Sequence, residues 1–222
     1  RSVYTPWLNA DGGFHSDLTM MRTGDDTVQV VTGVFDGGRD EFWVRKHMPN
    51  DGSVTFRNRT RELSTLGVWG PNAPAVLGQL TDHDLSQDGS PYGSYLDATV
   101  AGVECKLFRI SYVGDTGWEI YIPWDQATTV WDAVMEAGAA HGVRATGGGV
   151  YGTSGRIEKG YRLMGAELES EYNPVEAGLA RPKVKAADFI GKDAYLAARE
   201  AGAEVHCVTL TVDDNTDSQG RQ

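Results

Sequence analysis

A glycine-rich turn followed by an alternating segment constrains the middle of this chain most strongly, in residues 109–121 (R-I-S-Y-V-G-D-T-G-W-E-I-Y). After the turn, apolar residues alternate with Glu119 and Tyr121, which predicts a strand with one buried face. The segment before the turn, from Val103 to Tyr112, alternates in the same way and predicts a strand that ends at Tyr112. Gly114 and Gly117 permit the positive φ angles that a tight hairpin needs. The pattern therefore places Glu119 on a rigid strand beside aromatic side chains.

A carboxylate in this position has two interpretations. It can accept two hydrogen bonds from a planar N–C–N–H edge, such as a pterin or a guanine presents. Alternatively, it is a solvated carboxylate on the wet face of a strand. A second segment, residues 3–19, has turn chemistry over residues 9–13 and delivers Asp17 onto the following strand. The residues alone leave both interpretations open.

Composition restricts the classes of function. The chain has 222 residues, 40% of them hydrophobic, and a formal net charge of −11. This acidic balance argues against nucleic-acid binding and against attachment to a membrane through a basic patch. No apolar run is long enough for a membrane span. The two cysteines and five histidines have neither disulfide-framework nor metal-ligand spacing, so we expect no metal and a cytoplasmic protein.

Coarse patterning favours an α+β fold with antiparallel sheets and split β-α-β, ferredoxin-like units. Trp131 is expected in the core of a helix that Asp125 caps. Predicted helices cover residues 40–48, 71–80 and 188–201, and predicted strands cover residues 27–32, 53–58, 63–69 and 206–212.

Six segments, in order, resemble the folate-binding aminomethyltransferase family, which includes the glycine-cleavage T-protein. They are Y-T-P-W-L-N-A-D-G-G-F-H-S-D-L-T, L-G-V-W-G-P-N-A-P-A-V-L, S-Y-V-G-D-T-G-W-E-I-Y, R-I-E-K-G-Y-R-L-M-G-A-E-L, N-P-V-E-A-G-L and F-I-G-K-D-A. The third and fourth look most similar to the folate domains of dimethylglycine and sarcosine dehydrogenases.

The resemblance implies a T-protein-like architecture without its N-terminal segment and its C-terminal barrel, which suggests a fragment or a piece of a longer protein. Residues 1–60 would begin a folate-binding subdomain, and residues 61–166 would form a second α+β subdomain with the Glu119 hairpin. Residues 167–203 would return to the first subdomain, and residues 204–222 would start an incomplete barrel.

The resemblance also implies site residues. Asp17 matches the family's catalytic aspartate, and Glu119 matches the glutamate that holds the pterin ring. Tyr112 and Tyr4 match aromatic residues of the same pocket, and Thr32 stands where the T-protein often has asparagine. Tyr151-Gly152 stands where the family has an arginine that contacts the folate tail, so binding of a polyglutamate tail does not carry over. Arg156 matches an arginine with a structural role.

The activity implied is tetrahydrofolate-dependent one-carbon transfer from a methylated amine, forming 5,10-methylene-tetrahydrofolate. The alternatives are glycine-cleavage aminomethyl transfer, folate-dependent O- or S-demethylation, and a folate-binding module without catalysis. No dinucleotide-binding fingerprint is present, so FAD would belong to a flavoprotein domain or subunit outside this sequence. The compartment expected is the cytoplasm, or the mitochondrial matrix in a eukaryote.

Overall fold

Two antiparallel sheets form the framework of the computed structural model, which describes residues 2–213. The first sheet has the order β1-β2-β3, and its strands are β1 (Ser2–Leu8), β2 (Phe14–Arg22) and β3 (Val28–Thr32). The second has the order β4-β7-β6-β5, and its strands are β4 (Leu63–Trp69), β5 (Tyr95–Val100), β6 (Val103–Phe108) and β7 (Gly117–Pro123).

Five α-helices accompany these sheets within the described residues: α1 (Gly37–His47), α2 (Ala73–Leu77), α3 (Ala127–Gly138), α4 (Arg156–Lys159) and α5 (Lys192–Ala201). Strands β4 and β6 both run antiparallel to β7, which separates them, and α2 lies in the connection between them. This split arrangement of antiparallel sheets with single helices is the α+β class that the sequence predicts.

Three hydrophobic clusters connect the elements. The largest packs α2 and α3 onto one face of the second sheet, around the fully buried Trp118 and Ile120. Another joins Leu8 and Phe14 of the first sheet to residues between 164 and 195. The third contains Met21 of β2 with Phe108 and Tyr121 of the second sheet, so it lies between the two sheets. The subdomain boundaries at residues 60, 166 and 203 stay predictions.

Alternation along β7 appears as expected. The apolar residues point into the cluster beneath α2 and α3, while Glu119 and Tyr121 share the opposite face. Gly114 and Gly117 have φ values of 86° and 156°. An added Cβ at Gly117 would lie 2.2 Å from the Val68 carbonyl oxygen. The turn is longer than a tight hairpin, however, because β6 ends at Phe108 and not at Tyr112.

Several predicted elements are wrong. Residues 53–58 and 206–212 are not strands, because neither segment finds a ladder partner within residues 2–213. One backbone bond, from the Cys207 amide to the Glu176 carbonyl, tethers the second segment. The helix predicted over 71–80 covers only Ala73–Leu77, and the one predicted over 188–201 begins at Lys192. The polar end of the chain, residues 214–222, lies outside the described residues, as does that part of the predicted barrel start.

The start of α3 also differs from expectation. Asp125 does not cap the helix, since it lies inside a 3₁₀ turn, Trp124–Gln126, that leads directly into it. Trp131 is not a core residue, because 40% of its surface is exposed. Val130 and Val134 form the buried stripe of this helix instead.

Candidate functional site

The candidate site lies in the space between the two sheets. On β2, Asp17 and Met21 are four residues apart and therefore share one face. On β7, Glu119 and Tyr121 likewise share one face. Met21 and Tyr121 belong to the same buried cluster, so these two faces are turned toward each other. The strand faces that carry the two carboxylates predicted from the sequence are therefore turned toward each other.

Asp17 is held by a phenol from the neighbouring strand. Tyr4 on β1 pairs with Thr19 and so lies on the Asp17 face of the sheet. Its hydroxyl donates a hydrogen bond to Asp17 Oδ2 at 3.1 Å. Burial raises the pKa of Asp17, although the bond from Tyr4 opposes this, and burial together with the Asp17 charge raises the pKa of Tyr4. A carboxylate with a raised pKa is a better proton acceptor near neutral pH.

Glu119 is oriented from within its own strand. The Tyr121 hydroxyl donates a hydrogen bond of 2.6 Å to Glu119 Oε2. Burial raises the pKa of Glu119, and the bond from Tyr121 opposes that shift in part. Burial and the adjacent Glu119 charge raise the pKa of Tyr121 as well. The Tyr121 hydroxyl thus uses one acceptor position of the carboxylate, which leaves further acceptor positions on both oxygens for a ligand.

The β4 strand supplies a flat wall beside Glu119. Gly67 is the residue that pairs with Glu119 across the ladder, and it has no side chain to fill this face. The Trp69 ring lies over it instead, since an added Cβ at Gly67 would be 2.2 Å from Trp69 Cη2. Trp69 Nε1 donates to the Ile110 carbonyl at 2.9 Å, which fixes the indole. A cavity of about 680 Å³ is lined by Glu119, Gly67 and Trp69 among others.

A row of aromatic rings continues from Trp69. The Tyr151 ring stacks on Trp69 with centroids 5.4 Å apart, and its centroid is 5.0 Å from that of Tyr112. Tyr112 in turn stacks on Tyr161 at 5.9 Å, and its hydroxyl donates to the Arg162 carbonyl at 2.6 Å. Burial raises the pKa of Tyr112 to about 12, and the Asp17 charge contributes to the shift. The charge of Asp17 thus reaches Tyr112, and the place of Tyr112 in a folate pocket stays a prediction.

Thr32 lies elsewhere. It pairs with Leu18 and so faces the opposite side of the first sheet from Asp17. Its hydroxyl donates to Asp40 Oδ2, which also accepts a hydrogen bond from the Ser16 hydroxyl. The structure does not bring Thr32 to the space between the sheets.

Two aromatic side chains at this site were missed by the sequence reasoning. Trp69 could have been found, because it lies two residues from Gly67 on the same face of a predicted strand. Tyr151 carried no such signal, because it belongs to a π-helical turn, Val150–Gly155, that has no strand or α-helix periodicity. Arg156 has the predicted structural role: it is buried, and its Nη1 lies 2.7 Å from Glu167 Oε2.

A second cavity, of about 520 Å³, lies beside β1 and α1. Aromatic residues and the cationic residues Arg181, Lys183 and Lys185 line it, together with Tyr4. It contains neither Asp17 nor Glu119. Within residues 2–213, no group of three or more His, Cys, Asp or Glu side chains could hold a metal ion. In the same range no helix combines the length and apolarity needed to cross a membrane.

Comparison with known proteins identifies the family. The GCVT N-terminal domain family matches residues 1–185. The chain belongs to this family. It is 34% identical over 195 residues to an aminomethyltransferase of Chloroherpeton thalassium, which covers 87% of this chain and 53% of that protein. It is also 34% identical over 221 residues to human mitochondrial dimethylglycine dehydrogenase, which covers 97% of this chain and 25% of that protein.

A solved structure supports the fold. The glycine cleavage system aminomethyltransferase T of Bartonella henselae superposes with a TM-score of 0.75 and 22% identity, over 91% of this chain and 54% of that chain. The antiparallel α+β architecture predicted from the resemblance is therefore confirmed. This chain spans about half the length of the aminomethyltransferases that it matches.

Proposed function

We propose that this chain binds tetrahydrofolate between Asp17 and Glu119 and takes part in one-carbon transfer to it from a methylated amine. The observation that carries the proposal is a pair of desolvated carboxylates on strand faces that are turned toward each other, with aromatic side chains beside both. Burial raises the pKa of both, and neither carboxylate is fully neutralised by a cation there, since their hydrogen-bond partners in the described residues are phenols. Such a space suits a flat heterocycle with hydrogen-bond donors along one edge.

The residues present fit a reduced pterin. Gly67, which pairs with Glu119, has no Cβ, so the Trp69 ring lies over it and supplies a flat surface beside Glu119. Glu119 would accept hydrogen bonds from the amino-pyrimidine edge, with Tyr121 keeping its carboxylate in plane. Tyr112 and Tyr4 would line the same space. Thr32 is not part of the proposed site, because it faces the other side of the first sheet and its hydroxyl donates to Asp40.

Division of work between the two carboxylates follows from their positions. Glu119 would recognise the ring, and Asp17 would accept the proton that the attacking folate nitrogen must lose. The bond from Tyr4 would hold Asp17 in place for this step. Tetrahydrofolate, when bound, supplies the nucleophilic nitrogen, so no covalent enzyme nucleophile is required. The aromatic walls would exclude water from the reactive one-carbon unit.

The donor we favour is an N-methyl amine of the dimethylglycine or sarcosine type, with 5,10-methylene-tetrahydrofolate as product. Its oxidation would require FAD in a flavoprotein domain or subunit outside these residues. The relative named dimethylglycine dehydrogenase supports this donor. Relatives named aminomethyltransferase support a second candidate, transfer of an aminomethyl group in glycine cleavage.

Asp17→Asn in the intact protein tests the proposal. The amide keeps an acceptor for Tyr4 but cannot take a proton, so tetrahydrofolate should still bind while turnover falls about 10²- to 10⁴-fold. Asp97→Asn, which changes an exposed carboxylate on β5, is the matched control and should retain parental turnover. Assays with sarcosine, an aminomethyl donor and an O-methyl donor would identify the substrate class. Equal turnover in Asp17→Asn and parent would remove the catalytic role.

A further inference from the structure

Tyr151 is a large aromatic side chain in the cavity beside Glu119, at a position that the resemblance gives to an arginine of the tail site. It projects from the π-helical turn Val150–Gly155, which runs directly into α4. Single π-helical turns occur frequently at functional sites. Arg156 holds this turn in place, because its Nε donates to the Gly152 carbonyl at 2.8 Å while its Nη1 pairs with Glu167. The backbone of the turn that carries Tyr151 is therefore tied to the buried Arg156 side chain and, through it, to the partly exposed Glu167.

The two neighbours of Tyr151 have already used their polar groups. The indole nitrogen of Trp69 donates to the Ile110 carbonyl, and the hydroxyl of Tyr112 donates to the Arg162 carbonyl. Both rings are thus fixed before any ligand arrives. In contrast, the Tyr151 hydroxyl makes no hydrogen bond to any residue in the range 2–213. A ligand can therefore pack against the Tyr151 ring without breaking a hydrogen bond of its hydroxyl.

The charges of both carboxylates act on Tyr151. It lines the same cavity as Glu119, and its ring stacks on the Trp69 indole that covers Gly67, the residue paired with Glu119. After burial, the charges of Glu119 and Asp17 both contribute to its raised pKa. Only a side chain near both carboxylates would respond to both charges, because the interaction falls with distance.

We propose that Tyr151 contacts the ring of the bound folate, packing against the pterin between Glu119 and Asp17, and does not contact the tail. This inference rests on the proposed function. It differs from the position-by-position resemblance, which sets Tyr151-Gly152 where other family members have an arginine that contacts the tail. The stacking geometry around Trp69 and Tyr112 places the tyrosine at the carboxylate end of the site instead.

Two probes separate a ring contact from a tail contact: tetrahydrofolate, and a reduced pterin without the tail, such as 6-methyltetrahydropterin. In the intact protein, Tyr151→Ala should weaken binding of both probes by the same factor, about 10- to 100-fold, because stacking of a heterocycle on an aromatic ring is lost. Tyr151→Phe keeps the ring and should stay within about threefold of the parent for both. Tyr92→Ala removes a tyrosine that is 66% exposed and serves as the control.

Each outcome has a defined meaning. A loss confined to tetrahydrofolate would assign Tyr151 to the tail and overturn the inference, as would unchanged affinity for both probes in Tyr151→Ala. If Tyr151→Ala does not fold, Tyr151→Leu replaces it, with the same expected losses. A parent that binds neither probe would overturn the proposed function itself. A parent that binds both, with an unaffected Tyr151→Ala variant, would overturn the Tyr151 assignment alone.

Discussion

Replacement of Glu119 by glutamine should weaken tetrahydrofolate binding by at least about 100-fold, since two charge-assisted hydrogen bonds of roughly 1.5–3 kcal/mol each are lost. The new amide would keep one acceptor for the Tyr121 hydroxyl, so the local structure should survive. It would also present two N–H donors to the donor edge of the pterin. Glu119 is already buried in the ligand-free protein, so binding does not have to remove water from its carboxylate. The free energy of the lost hydrogen bonds should therefore appear almost entirely as a higher dissociation constant for tetrahydrofolate.

Anaerobic calorimetric titration of the intact protein with tetrahydrofolate measures this effect. Glu104→Gln, an exposed carboxylate on β6 in the same sheet, changes the net charge equally and should bind like the parent. Thermal unfolding of each variant verifies that the fold is retained. A Glu119→Gln variant that is folded and binds within about threefold of the parent would refute the recognition role, because even one charge-assisted hydrogen bond exceeds that change.

Two further predictions concern stability and shape. The raised pKa of Glu119 means that the folded protein holds this proton more tightly than the unfolded chain, so the free energy of unfolding falls as pH rises through that pKa. Ligand-free Glu119→Gln should therefore melt at a higher temperature than the parent at neutral pH, and the difference should vanish below about pH 4. A melting temperature of the parent that rises relative to that of the variant as the pH rises would contradict this. Gly67→Ala would place a methyl group 2.2 Å from Trp69 Cη2 and displace the ring, which should weaken tetrahydrofolate binding about three- to tenfold. Gly37→Ala, where nothing lies within 4 Å, is the control, and equal affinity of the two variants would argue against the Trp69 wall.

Much of the fold could be predicted from local sequence. Strand β7 alternates clearly in sequence because Trp118, Ile120 and Ile122 pack beneath α2 and α3, while Glu119 and Tyr121 face the other way. The prediction errors fall in segments whose secondary structure depends on tertiary contacts. Residues 53–58 have strand-like composition but find no ladder, and the β6–β7 ladder ends at Phe108, after which the Ile110 carbonyl accepts from the Trp69 indole. Composition does not report such partners.

The site could be predicted only in part. Glu119 and Asp17 each stand on a strand whose alternation is readable, so their faces could be inferred, and the family resemblance supplied the pairing. Which faces meet was not readable, because the contact between Met21 and Tyr121 is made across two sheets. Thr32 lies on the face of the first sheet opposite Asp17, because it pairs with Leu18, and this register was not readable either. Tyr151 could not be predicted, because the π-helical turn that positions it has no sequence periodicity.

A crystal structure of the intact protein with tetrahydrofolate tests the central claim most directly. The account predicts the amino-pyrimidine edge within hydrogen-bond distance of Glu119, with the reactive end of the folate toward Asp17. Folate bound in the cavity lined by Trp43 and Lys183, with no contact to either carboxylate, would contradict it.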